Sequence, residues 1–385
     1  MLLVGALLAA SCSGDDGVGV DEPVTIDGVS DATGVVGNDG HTCALIDDGT
    51  VTCWGGDGTR YIDPSSQDSG SDELRARPVK GISGATAISA GQGGVCALID
   101  DGRVACWGGI SVASPDHRTA DLSEAPVRIE GLSGASEIAT GSAHACAAVE
   151  DGPVTCWGEN YTHSDRSSGR VSDDVTTPPV TILGISDVTA MAASGHRTCA
   201  VVGEGSVSCW TPFRDVTDDD GHILTPRRPH SIPVDVTEIP GVTDAAAIAV
   251  GGEGWSPFAC VVHRDRTVSC WGNNRFGKLG DGTYNDSDAP VRVGDIDRAA
   301  AIAAGPGQAC AVIEEGSVRC WGSELVGTGD TPEDPVVRSR PTPVATEAIS
   351  GATAIATMWG RSCAVIANNE VSCWGFDVQL ALRDG

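Results

Sequence analysis

The stretch HTCALIDDGTVTCWGG, His41 to Gly56, sets two cysteines ten positions apart around Asp47-Asp48-Gly49, with Trp54 directly after the second. Apolar and β-branched residues flank a turn sequence, so the stretch reads as a hairpin. If Cys43 faces Cys53, then Leu45 faces Val51, and Asp47-Asp48-Gly49 is a three-residue loop whose glycine adopts the left-handed conformation. Directly opposed residues in the closer type of antiparallel pair have α-carbons within disulfide reach. The register therefore predicts a Cys43–Cys53 disulfide. Zinc competes for the same thiols, but a tetrahedral site needs four ligands and the unit offers no second pair.

The pattern recurs along the chain. Of the 15 cysteines, fourteen form seven such pairs: Cys43 and Cys53, Cys96 and Cys106, Cys146 and Cys156, Cys199 and Cys209, Cys260 and Cys270, Cys310 and Cys320, Cys363 and Cys373. Each second cysteine is followed by a tryptophan, at Trp54, Trp107, Trp157, Trp210, Trp271, Trp321 and Trp374, which are expected to pack within the repeats. Two hairpins lack the glycine: HRDRT, His263 to Thr267, and ANNEV, Ala367 to Val371, where asparagine can take its place.

Other landmarks keep step with the cysteines. Pro-Val occurs at Pro23, Pro78, Pro126, Pro179, Pro233, Pro290 and Pro343 and opens alternating runs that predict a half-buried strand. Small apolar runs such as SGATAIAT follow, with Ile88, Ile138, Ile302 and Ile355 each eight positions before a cysteine. With the two cysteine strands, each unit has four strands, and there are seven units at intervals of 48 to 57 residues. A fixed period of this length is the signature of a repeat architecture.

Composition agrees and narrows the function classes. The 51 glycines and 20 prolines in 385 residues favour strands and turns over long helices. Twenty-four Lys and Arg against 53 Asp and Glu give a net charge of −29, which opposes binding to phosphate backbones and anionic lipid surfaces. Nucleic acid is not an expected partner. So many cysteines point to an oxidising compartment.

Cys12 lies outside the repeats and ends the apolar run LLVGALLAAS, too short to span a bilayer but suited to a secretory signal. LLAASC resembles a bacterial lipoprotein processing site in which the cysteine is lipidated. No Lys or Arg precedes the run, which leaves open a start further upstream. The expected organisation is a signal at residues 1–11, a tether at 12–22 beginning with lipidated Cys12, and the repeats over 23–385.

Units of PV-x-V, a small apolar strand, GxxHTCAL, DGxVxCWGxN and GxLGDGT resemble the regulator of chromosome condensation repeat, with CWGNNRFGKLGDGT, Cys270 to Thr283, the fullest match. The resemblance implies an all-β fold, a seven-bladed β-propeller of four-stranded antiparallel blades. It departs from the family in its paired cysteines and in keeping the full GKLGDGT segment only in the fifth copy. LALRDG, Leu380 to Gly385, corresponds to the segment before a Pro-Val strand, and the chain begins at such a strand with Pro23, so the two ends are expected to meet.

Function is less legible, because propellers host unrelated activities. Relatives in the resembled family include guanine-nucleotide exchange factors, chromatin binders, an ultraviolet photoreceptor and a secreted bacterial inhibitor of β-lactamase. An exported acidic chain matches the compartment of the last. No GxSxG elbow, HExxH helix, phosphate-binding glycine loop or dinucleotide fingerprint appears, so no catalytic residue, cofactor or metal is expected. His41, His144 and His196 sit just before their cysteines and read as structural hydrogen-bonding groups. The acidic stretches at Thr217 and Asp281 lack the spacing of a known calcium loop.

Between each of the first six repeat tryptophans and the next Pro-Val lie 18 to 23 residues, longer than a plain connection requires. These inserts hold Tyr61, Tyr161, Tyr284, Phe213, Phe276 and the pair Arg227 and Arg228. In a four-stranded blade they emerge on the same rim as the turns between the small apolar strand and the first cysteine strand, which carry Trp255 and Trp359. Tyr, Trp and Arg dominate binding energetics. The expectation is a monomeric binding module at the outer membrane or cell surface, periplasmic or secreted as alternatives, that holds a protein or glycan on this face. A carbohydrate-acting enzyme with its site at the ring mouth and a purely structural envelope protein are the competing readings.

Overall fold

The computed structural model describes residues 23–38, 41–55, 75–92, 94–108, 123–142, 144–150, 152–159, 176–212, 231–232, 235–252, 256–326, 336–347 and 349–375. They form seven antiparallel sheets, the blades of a closed seven-bladed β-propeller. Each blade starts on a strand of small residues: Ala32–Gly37, Ala85–Gly91, Ala135–Thr140, Val188–Ser194, Ala245–Gly251, Ala299–Ala304 and Ala354–Thr357. These seven strands touch one another in cyclic order, the first against the last, and therefore line the axis. Crowding explains their composition: a β-carbon at Gly91 would collide with the Gly141 carbonyl of the next blade.

The second and third strands carry the two cysteines in the register read from the sequence. Cys43 pairs with Cys53 and Leu45 with Val51, and the match of cysteine to cysteine repeats in all seven blades. All seven disulfides are formed, with α-carbons 4.0 to 4.1 Å apart. In the first hairpin Ile46 N–H donates to Thr50 O, and Gly49 turns the corner at φ 78°. In the two glycine-free hairpins Arg266 takes φ 66° and Asn369 φ 59°. Asparagine tolerates that region; arginine is strained in it.

The fourth, outermost strand comes from the next sequence unit, so the blade is offset from the repeat by one strand. Cys270 faces Val291, for example, and Cys320 faces Val344. The last blade takes Val24–Thr25 as its outermost strand: Val24 pairs with Cys373 and Thr25 with Ser372, and Ile26 N–H donates to Val371 O at 2.9 Å. The start of the chain thus completes the last blade. Closure removes an open edge that would otherwise template association.

Pro-Val itself does not fix the outer register. The constant feature is an N–H bonded to the third strand by Ile26, Val79, Ile129, Ile239, Val293 and Thr346, with Ile182 paired at the same place. Measured from that residue, Pro78 lies two positions later and Pro233 three positions earlier than the proline of the second-to-third-blade connection, Pro126. In six of the seven blades this residue is a buried Ile or Val, whose burial sets the register, and in the sixth blade it is the half-buried Thr346; proline tolerates the edge position. The third blade also gains a fifth strand, Ser231–Ile232, parallel to Thr176–Ile182.

The core is divided into clusters between adjacent blades, such as Leu45, Val51, Val79, Ile82 and Trp107. Hydrogen bonds stitch the blades on the hairpin rim, where Ala85, Ala135, Ala245, Ala299 and Ala352 N–H groups donate to Gly49, Gly102, Gly205, Arg266 and Gly316 carbonyls of the preceding hairpins.

Candidate binding face

The antiparallel order sends the two kinds of connection to opposite rims. Each third strand ends at or beyond its tryptophan on the rim where the second strand begins, so the inserts leave from the same face as the inner turns and the hairpins lie on the other. Trp359 lies on this face, in the turn between Ala354–Thr357 and Ser362–Val365, and is exposed. Phe276 lies in the one-turn 3-10 helix Arg275–Gly277 of the fifth insert, with the Arg275 guanidinium 4.8 Å from its ring centre. Tyr284 of the same insert is exposed. Tyr61, Tyr161, Phe213, Arg227, Arg228, Trp255 and Cys12 fall outside the described residues.

The described part of the fifth insert folds back onto the ring. Asn274 is buried and donates through Nδ2 to the Thr283 and Asn285 carbonyls, while its Oδ1 accepts from Leu279 N–H at 2.9 Å. Asp281 accepts from Thr283, and Asp286 accepts from Asn274 N–H at 2.6 Å, so these carboxylates hold the loop together. Leu279 is fully buried against Trp321 of the next blade, whose indole N–H donates to Lys278 O at 2.8 Å. Gly280 passes over that indole at φ 69°, where a β-carbon would sit 2.8 Å from Nε1.

The sixth insert behaves differently. Strand Val318–Val326 runs on past Trp321 and pairs with Val336–Ala345, matching Glu324 with Arg338 and Val326 with Val336. Arg340 grips Glu324 through Nε at 2.8 Å and a second guanidinium nitrogen at 2.7 Å. Six of the seven repeat tryptophans are buried, and the exception is Trp374, which follows this insert. Beside it, between the sixth and seventh blades, opens a cavity of about 410 Å³. Trp374, Trp321, Trp359, Met358 and Val344 supply its apolar walls, and Thr346, Glu324, Arg340, Glu347 and Arg361 its polar lining. Gln308 Nε2 donates to Ser362 Oγ at 2.9 Å at its edge.

Of the histidines before the cysteines, His41 and His144 are buried and His196 is half-buried. His144 is buried with Nε2 2.8 Å from Thr198 Oγ1, and burial, aided by His196, pushes its pKa down to about 3. His41 is buried and lowered to about 4, first by burial and then by the Arg361 charge. Both are neutral at ordinary pH.

One arrangement has no signal in the repeat pattern. His263 places Nδ1 2.6 Å from Asp244 and Nε2 3.0 Å from Ser269, the order of groups in a hydrolytic triad. Ser269, however, is a mid-strand residue between Val268 and Cys270, paired to Val261 on one side and Arg292 on the other, with no sharp strand-to-helix turn to present it. The constellation lies at the hairpin rim, away from the cavity, and ties the approach to the inner strand to its two neighbours.

Comparison with known proteins places this geometry. Residues 267–312 match the family model of the Regulator of chromosome condensation (RCC1) repeat. The fold is similar to human WBSCR16, with a TM-score of 0.64, 16% identity, and 92% of this chain and 88% of that one covered. It is also similar to Prp20p from Saccharomyces cerevisiae, with a TM-score of 0.60, 16% identity, and 91% and 85% covered. Yeast RCC1 (Prp20) in its complex with Kap60 gives a TM-score of 0.60 at 18% identity, with 91% and 83% covered. At these identities the likeness concerns the fold. The chain is a seven-bladed β-propeller with a disulfide across the two middle strands of every blade, and its residues 267–312 match the RCC1 repeat.

Proposed function

We propose that this propeller is an exported, lipid-anchored binding module of a bacterial cell envelope that holds a protein partner on the insert face. The observation that carries the reading is the cavity between the sixth and seventh blades with Trp359 exposed at its margin. A concave, largely apolar site with a few polar groups is the usual form of a recognition site. Propellers of this fold bind proteins: Prp20p is described with its binding to Gsp1p and histones, and yeast RCC1 bound to Kap60.

The compartment reading rests on chemistry. Seven disulfides are at home in an oxidising environment. Attachment is through a lipid on Cys12, at the end of the LLAASC match to a lipoprotein processing site. The −29 net charge selects a neutral or basic partner surface and disfavours nucleic acid.

The test is affinity capture from envelope and culture medium with the chain from Ser13 onward, beside a variant carrying Trp255→Ala and Trp359→Ala. A protein retained by the first and lost from the second supports the reading. Equal retention moves the site off this face. Retention of glycan alone, or turnover of a glycan, favours the carbohydrate-enzyme reading.

A further inference from the structure

Resting on the binding-face reading, we infer that the cavity between the sixth and seventh blades is a socket for a leucine-like side chain on a glycine-flanked peptide segment of the protein partner. The ring itself shows what fits such a socket. One junction earlier, Leu279 is buried in a cluster with Trp321, Val293 and Ile296. The carbonyl before it accepts the Trp321 indole N–H, and the glycine after it lets the backbone lie against that ring. Val293 and Trp321 correspond by register to Thr346 and Trp374, since Cys270 faces Val291 as Cys320 faces Val344. Thr346 and Trp374 both line the cavity.

The socket is left open because the described residues that would reach it are engaged elsewhere. Ser323 to Val326 are committed to the ladder with Val336 to Ser339 and do not turn back across the junction as Lys278 to Gly280 do. Thr346 is also the one polar residue among the seven at the outer-register position, and its hydroxyl donates to Cys320 Sγ at 3.6 Å. Six large apolar side chains stand exposed among the described residues, and three of them, Val337, Val344 and Trp359, line this cavity. Clustered exposure of that kind marks a contact surface, whereas scattered residues do not.

Charge and hydrogen bonding favour a peptide over a sugar. The polar groups a sugar would need are already engaged, Glu324 with Arg340 and Gln308 with Ser362. Beside Glu347 and Arg361, what remains is largely apolar wall, with the Trp374 indole N–H positioned by repeat to take a peptide carbonyl as Trp321 does.

The experiment titrates a synthetic peptide, NNRFGKLGDGTYN, the chain's own Asn273 to Asn285, into the intact protein and follows heat and tryptophan fluorescence. Saturable binding is expected, and a peptide carrying Leu279→Asp should bind at least ~10-fold more weakly, the scale of one buried leucine. Val344→Trp in the protein, an exposed outer-strand position at the cavity margin, should block the peptide with the melting temperature preserved. No saturation up to about 1 mM, equal binding of the Leu279→Asp peptide, or unchanged binding by Val344→Trp overturns the inference. If a captured envelope partner is retained by Val344→Trp and is not displaced by the peptide, the socket fails while the binding face stands. If the peptide binds and capture yields no partner, the socket stands and the envelope reading fails.

Discussion

Lowering the pH from 7 to 5 should destabilise the ring through two imidazoles that it holds neutral. His144 is pushed down to about 3 and His41 to about 4, in both cases chiefly by burial. In the unfolded chain both titrate near ~6.5. Below that value the unfolded chain takes up protons that the native state refuses, so stability falls from about pH 6.5 until the native imidazoles protonate in turn; above it the effect vanishes. At pH 5 the interval below the unfolded pKa is about 1.5 units, and at about 1.4 kcal/mol per unit each histidine costs about 2 kcal/mol, the pair about 4. Hydrogen bonds from Thr50, Arg103 and Thr267 hold Asp48, Asp101 and Asp265 low, and that stabilisation is lost only as pH falls below the ordinary carboxylate range. Glu137, raised by burial, acts in the opposite sense as pH falls. The assay is urea denaturation at pH 7, 6 and 5 for the native chain and His144→Gln. The native protein should lose about 4 kcal/mol across the range and the variant about 2. Equal pH slopes for the two would refute the assignment.

Removing one bridge by the double substitution Cys146→Ala and Cys156→Ala should cost about 3 kcal/mol through the entropy of its short loop, read by denaturant midpoint under non-reducing conditions. Arg266→Gly should stabilise by about 1 kcal/mol, because glycine enters the φ 66° corner without the strain arginine bears; a lowered melting temperature would show that the Arg266–Glu314 ion pair outweighs that strain. Ile26→Ala removes a buried side chain from the strand that closes the ring and should cost about 2 to 5 kcal/mol, with hydrogen exchange accelerating first in Val371–Trp374. Leu279→Ala should cost a similar amount and expose Trp321 to fluorescence quenching, while the other blades keep their protection.

The repeat, the hairpin register and the disulfides were legible because each depends on local spacing: ten positions between cysteines leave one way to bring Cys43 and Cys53 together across a three-residue loop. The outer strand was legible in existence and not in register. Pro78 and Pro233 look equivalent to Pro126 in sequence, yet the alignment is decided by Val79 and Ile239 entering the inter-blade core, a tertiary effect that a dipeptide cannot carry. Trp359 reaches the insert rim by topology alone, since it sits in the turn between Ala354–Thr357 and Ser362–Val365. The cavity it borders was not foreseen, since it arises where the sixth insert extends as strand, and alternation in SELV and VVRSR competes with the turn-like GTGD between them.

That departure shows how a sevenfold repeat can acquire one specific site. Closure requires every blade to present the same small inner strand, the same bridged pair and the same outer-strand contact, so change there acts on the whole ring. The inserts are outside this constraint. Where an insert folds back, as Lys278 to Gly280 do, it fills its junction and adds to the core. Where it extends, as Glu324 to Val326 do, it leaves the junction open and raises Val337 and Arg340 beside it. The sixth blade keeps its place in the ring through the Cys310–Cys320 bridge and the stitches from Ala352 to Gly316. Stability is thereby supplied on the hairpin rim, and the opposite rim is free to lose a core contact, which leaves Trp374 less buried than the other six repeat tryptophans and facing a cavity.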